Sequence, residues 1–186
     1  TAWKAELSEA LAIASGHLSL YQLTIEDGTA FGDRFRRGLL RGLPDEDLGA
    51  DMYLATQDMT AAAGYESYEV SNYAEKGQES RHNCIYWNAG DYVGIGPGAH
   101  GRLSLGGLRY ATEAVSSPIG WLTGVERADG AERRKVISQK EQGLEYLMMG
   151  LRRDSGIDVQ RFSRLSGTTI PAQTIAELSE LGMVEA

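Results

Sequence analysis

The chain has 186 residues, 42% of them hydrophobic, and a formal charge of −8 from 18 basic and 26 acidic side chains; this suits one large globular domain or a domain with a small appendage, and argues against a general nucleic-acid surface, which needs clustered basic groups to neutralise phosphate. No run approaches the roughly 18 consecutive apolar residues of a membrane span and no signal peptide opens the chain, so no membrane span and a cytoplasmic location are expected. A single cysteine, Cys84, excludes an internal disulfide and a cysteine-built metal cluster within the chain.

In chain order, Trp3, Leu7, Leu11 and Ala14 recur at helical spacing and Gly16 follows as a stop, which predicts a helix over 2–15. The run HLSLYQLTI at 17–25 is apolar on both faces and ends in EDGT, the pattern of a buried strand running into a turn. Asp45 is placed to cap a second helix that ends near Gly64, and SYEVSNY at 67–73 has the character of another short strand. Helix, strand, helix, strand predicts βα units on a parallel sheet or barrel.

The segment 91–113 reads as extended and broken by glycine, and from Ser117 onward the chain reads as helical with little strand. Ser117-Pro118 makes a cap followed by a favoured first-turn proline, and Ser138 and Glu141 have capping-box spacing before GLEYLMMGL. IDVQRFSRLSG and PAQTIAELSELG predict two more short helices, the last closed by Gly182, and MVEA has the look of a strand beginning. Serine, proline, glycine and charge accumulate over 112–132, so a boundary is expected there, with one region over 1–115 and a helical one over 116–186.

The chemistry-bearing residues concentrate at 80–102, SRHNCIYWNAGDYVGIGPGAHGR. Gly96, Gly98 and Gly101 satisfy GxGxxG, but the run RLSLGGLRY after Gly101 is short, alternating and glycine-broken, unlike the helix whose N-terminus would hold a pyrophosphate. If 92–100 is extended, Tyr92, Gly94, Gly96, Gly98 and His100 share one face, and three glycines leave that face bare. Either another element of the protein or a planar ligand such as adenine or a porphyrin fills it. Imidazole is a common ligand of heme iron and aromatic faces suit a macrocycle, which makes His82 and its neighbours a candidate ligand set; the alternative is a hydrogen-bonded structural histidine. Gln22 and Thr24 share a face of the first strand, as a pair that could hydrogen-bond a cofactor or a neighbouring side chain. Arg133-Arg134-Lys135, Arg152-Arg153 and Arg161 with Arg164 are interleaved with acids and read as solvated helix faces.

Taken together, HLSLYQLTIEDGTAFG, AAGYESYEVSNYA, SRHNCIYWNAGDYVGIGPGAHGRL and LMMGLRRDSGID resemble, in this order and spacing, the oxygen-independent coproporphyrinogen III oxidase-like radical SAM family, in particular its heme-chaperone branch. The resemblance implies the second half of a partial TIM-type (β/α) barrel followed by a winged-helix-like C-terminal region, clipped at both ends. It implies heme as cargo, with His82 as the iron-linked residue supported by Asn83, Tyr86 and Trp87. It also implies that Gln22, Thr24, Gly94, Gly96 and Gly98 face S-adenosylmethionine. A 4Fe-4S cluster and S-adenosylmethionine belong to the full-length family protein, but its CxxxCxxC motif is absent here, so no oxidase activity is expected of this chain alone. The function implied is a heme chaperone delivering heme to respiratory heme enzymes. The alternatives are coproporphyrinogen III oxidation in porphyrin biosynthesis and, from another class, a nucleic-acid-binding tail on an inert barrel remnant. An unpaired parallel-strand edge, left by a missing N-terminal radical SAM half, invites self-association.

Overall fold

The computed structural model describes residues 2–128 and 132–185, which fall into two compact units, Thr1–Ser80 and Arg81–Ala186. The boundary expected at 115/116 lies inside the second unit, where a sheet spans it.

The first unit runs α1 (Ala2–Ile13), β1 (His17–Ser19), α2 (Ala30–Arg36), α3 (Glu46–Ala62), β2 (Glu66–Glu69) and β3 (Asn72–Ala74). α1 packs on α3 through fully buried Leu7 and through the Trp3 indole, whose Nε1–H donates to Thr56 Oγ1 at 2.9 Å. Asp45 caps α3 as expected, accepting the Leu48 N–H, and Gly64 follows the helix at φ +87°, a left-handed position that favours glycine. The expected 67–73 strand is instead a hairpin that reverses at Val70-Ser71. Its second strand, β3, is the centre of the sheet β1-β3-β2, and both of its pairings are antiparallel. All three residues of β3 are buried. The polar one, Asn72, is satisfied: its Nδ2 donates to the buried Glu69 Oε2 at 2.6 Å and its Oδ1 accepts from Ser19 at 2.7 Å.

Two expectations fail here. No parallel pair occurs among the described residues, so the alternation that predicted parallel barrel strands produces an antiparallel sheet; the short turn at Val70-Ser71 can join only antiparallel neighbours. The strand expected over 17–25 stops at Ser19, beyond which Leu20 N–H reaches Ser71 O and the ladder ends. Strand composition needs a partner to become a strand, and Tyr21 stands 71% exposed. The unpaired parallel edge inferred from the sequence is therefore absent among the described residues. A further helix, α2, went unforeseen: Thr29 caps it, accepting the Gly32 N–H at 3.0 Å.

The second unit runs α4 (Arg81–Trp87), β4 (His100–Leu105), β5 (Leu108–Ala114), α5 (Pro118–Arg127), β6 (Glu132–Val136), α6 (Gln139–Gly150), α7 (Val159–Ser166) and α8 (Ala172–Glu180). β4 and β5 form a hairpin closed by Gly106-Gly107, both at positive φ (+58° and +79°), which a two-residue turn of this hand demands. β6 adds antiparallel to β5 and is an edge strand that ERRKV disguised as a charged run. Ser117 caps α5 with Pro118 in its first turn, and Gly182, at φ +67°, follows α8, both as expected; Gly167 ends α7 at φ +70°. Met183, Val184 and Glu185 form no strand, and Ala186 lies outside the described residues. Of the basic clusters, Arg134 meets Glu132 at 2.8 Å and Lys135 meets Glu141 at 2.9 Å.

The capping box is complete: Ser138 Oγ accepts the Glu141 N–H at 3.2 Å and Glu141 Oε2 accepts the Ser138 N–H at 2.8 Å. The Lys135 ammonium, followed by the Ser138 donors, pulls the Glu141 carboxyl from an ordinary 4.5 down to about 2. A carboxylate so depressed contributes stability that is whole above its ordinary pKa and lost as pH falls through the folded value. The melting-temperature gap between wild type and Glu141→Gln, followed by circular dichroism, should be constant above about pH 5.5, shrink between about pH 4.5 and pH 2, and close below that.

Candidate functional site

HNxxYW forms a helix rather than a loop. α4 ends in a Schellman closure, with the Ala89 N–H bonded to Tyr86 O at 2.9 Å and the Gly90 N–H bonded to Ile85 O at 2.8 Å. The left-handed residue of that closure is Ala89, at φ +47°, where glycine would be easier. Three guanidinium groups hold the turn. Arg109 donates to Ala89 O (2.7 Å) and Gly90 O (3.0 Å), Arg153 donates to Asn88 Oδ1 (2.6 Å), and Arg161 donates to Asn88 O while lying over the Tyr146 ring. Cations suit the carbonyl end of a helix, where the partial charge is negative. Arg153 and Arg161, read from the sequence as part of solvated faces, are thus clamp residues. Nothing local in the sequence marks Arg109, because its targets lie about twenty residues upstream.

A helical turn divides the four candidate heme residues. His82 and Tyr86, one turn apart, meet: Nε2 lies 2.5 Å from the phenol oxygen, the rings edge to face at 4.5 Å between centroids. Tyr86 in turn stacks edge-on against Tyr92 at 4.3 Å. Burial pushes the Tyr92 phenol up, with Arg102 nearby pulling the other way. Asn83 and Trp87 lie on another side, and Trp87 is only 8% exposed, so its indole belongs to the core and offers no stacking surface. His82 itself is exposed, as are the apolar side chains Ile85, Val93 and Ile95. His100 is exposed at the start of β4, and His17 Nε2 sits 2.6 Å from Tyr68 Oη in the first unit.

The bare glycine face does not exist. Tyr92 bridges to Arg102 with bonds of 2.8 and 2.9 Å, and the chain then reverses through Gly96-Pro97-Gly98. Gly96 (φ +107°) and Gly98 (φ +71°) serve that turn, whereas Gly94 serves close approach: a Cβ there would fall 2.4 Å from His100 O. What comes near the glycine backbone is β4 of the same chain. Gln22 and Thr24, expected on the first strand, belong to the first unit and lie outside any strand. Gln22 Nε2 donates to Gly49 O at 3.1 Å and lines a cleft of about 970 Å³ with Leu20, Tyr21, Leu23, Phe35 and Tyr53.

Sequence comparison gives this site its context. The chain is 42% identical over 162 residues to the heme chaperone HemW of Lactococcus lactis, covering 86% of this chain and 40% of that protein. It is 36% identical over 193 residues to the mitochondrial radical S-adenosyl methionine domain-containing protein 1 of Bos taurus, covering 98% of this chain and 43% of that one. The chain belongs to the HemW-type radical SAM family. No family model matches it. The chain is also similar in fold to coproporphyrinogen III oxidase of Escherichia coli, a radical SAM enzyme, with a TM-score of 0.65 at 15% identity over 95% of this chain and 43% of the other. It spans about 40% of the length of the curated relatives it matches. Family membership does not fix a compartment, since the bovine relative is mitochondrial by name; no helix among the described residues is long and apolar enough to cross a membrane.

Two groups tied to the family can be set against the residues present. A three-cysteine 4Fe-4S site does not fit: Cys84 is the only cysteine, half-buried on α4, and no step is assigned to a cluster here. A heme cargo fits better. Heme iron takes four ligands from its macrocycle, which leaves at most two positions for side chains such as the exposed His82 imidazole.

Proposed function

We propose that this chain carries the cargo-holding face of a heme chaperone, binding heme through His82 and yielding it to heme-requiring respiratory enzymes. The observation that carries the reading is an exposed imidazole at the start of a clamped helix, in a chain 42% identical to a protein named as a heme chaperone. Tyr86 and the apolar Ile85 flank it; Asn83 and Trp87 act from behind, by shaping the helix. Oxidation of coproporphyrinogen III is the weaker reading, because the likeness to that oxidase, at 15% identity, is one of fold.

Hemin titration followed in the Soret band tests this. Wild type should bind with a shifted, ligated Soret maximum, and His82→Ala should lose that shift with an affinity drop of about ten-fold or more, equivalent to about 1.4 kcal/mol. His100→Ala is the control and should bind as wild type does. Equal binding by His82→Ala and wild type would remove His82 from the function.

A further inference from the structure

The nitrogen of His82 that a flat macrocycle can reach is already taken. Nε2 points away from the backbone, whereas Nδ1 adjoins Cβ, where a tetrapyrrole plane would collide with the helix that carries it. In the structure Nε2 shares a hydrogen with Tyr86 Oη across 2.5 Å. Two tautomers are open to a neutral ring, and both have the same consequence. If the phenol O–H donates, the Nε2 lone pair is consumed; if Nε2–H donates, the lone pair sits on Nδ1. In neither is Nε2 free to meet iron.

Tyr86 is also poorly placed to move aside. Its ring abuts Tyr92 edge-on, and Tyr92 is held by paired backbone bonds to Arg102, whose guanidinium makes a two-point ion pair with Glu145 on α6 (3.1 and 2.8 Å). The phenol is therefore backed by the sheet and by α6.

We infer that Tyr86 is a gating residue, positioned so that its hydroxyl competes with heme iron for His82 Nε2 and keeps cargo ligation weak enough to reverse. This rests on the cargo reading above and assigns the same site a built-in release device. A carrier must give up what it holds. A hydrogen bond that re-forms when iron leaves offsets part of the cost of breaking the iron–imidazole bond, and does so without a second protein.

The test uses Tyr86→Phe in the whole chain, which removes one oxygen and keeps the ring against Tyr92. Two probes are read in parallel. Diethyl pyrocarbonate acylates neutral imidazole at an unencumbered nitrogen; with modification resolved by peptide mass spectrometry and exposed His100 as the internal reference, His82 should react about five-fold faster in Tyr86→Phe, the worth of one modest hydrogen bond. Hemin should bind Tyr86→Phe tighter by a similar factor, about five-fold, through slower dissociation. Faster acylation with unchanged hemin affinity overturns the gate while leaving the cargo reading in place. Faster acylation with no hemin binding that depends on His82 keeps the masking of Nε2 and sinks the cargo reading. Equal acylation rates in the two proteins overturn the gate outright. Matching circular dichroism melts guard against loss of fold, and Tyr92→Phe, which leaves the Tyr86 hydroxyl in place, should give no acceleration.

Discussion

Gly94→Ala is expected to destabilise the second unit by about 3 kcal/mol or more, at or beyond the upper end of the usual cost of overpacking. The added Cβ would lie 2.4 Å from His100 O, 2.7 Å from its carbonyl carbon and 3.0 Å from its nitrogen, all of them backbone atoms. A flexible side chain could swing away; this backbone cannot, because His100 pairs with Glu113 on β5 and the neighbouring Ala99 carbonyl accepts the Ala114 N–H at 2.8 Å. Gly98→Ala is the informative contrast. It sits at φ +71° with nothing closer to a new Cβ than 3.8 Å, so it should cost only the left-handed strain of about 1–2 kcal/mol. Urea midpoints read from circular dichroism would separate the two. Equal midpoints would contradict the view that Gly94 exists to let β4 approach, and would reopen that face to a ligand.

The same glycine run shows where sequence reasoning reaches and where it stops. Gly94, Gly96 and Gly98 declared that backbone geometry mattered at 92–100, and it does. A period of two cannot distinguish a bare strand face from a strand end followed by a turn, and the turn won once Gly96 and Gly98 took positive φ. Caps were legible because their signals are local: Asp45, Ser117, Ser138 and Gly182 each fix a helix end through atoms two to four residues away. Strand partners were not. HLSLYQLTI has the composition of a long buried strand, yet only His17–Ser19 pairs, and whether the rest pairs depends on which edge lies beside it. β6 escaped notice for the opposite reason, its charges belonging to an edge strand whose one covered neighbour is β5. At the candidate site, the HNxxYW pattern treats its members as one set. Helical geometry splits them, sending His82 and Tyr86 to solvent-facing positions and Trp87 to the core.

Arg109→Met should lower the stability of the second unit by about 3 kcal/mol and its melting temperature by about 12 °C or more. Methionine keeps much of the apolar stem of a side chain only 11% exposed, so what is lost is the fork: two charge-assisted bonds, to Ala89 O at 2.7 Å and Gly90 O at 3.0 Å. The cost exceeds that of an ordinary surface arginine because the two carbonyls are left without their donor, beside an alanine held at φ +47° that already strains the turn. Asp91, 3.7 Å from the guanidinium, also loses its counter-charge. Arg109→Lys discriminates geometry from charge: one ammonium cannot span both carbonyls as the planar fork does, so Lys should recover less than half of the loss. The effect should reach the site before the fold fails, since His82 and Tyr86 ride on the helix whose far end this clamp fixes. Hydrogen exchange at the Gly90 amide, bonded to Ile85 O at 2.8 Å, reports that local opening directly and should accelerate in Arg109→Met under conditions where the rest of the unit stays protected. If Gly90 kept its protection, Arg153 and Arg161 alone would be sufficient to close the turn, and α4 would owe its position to them.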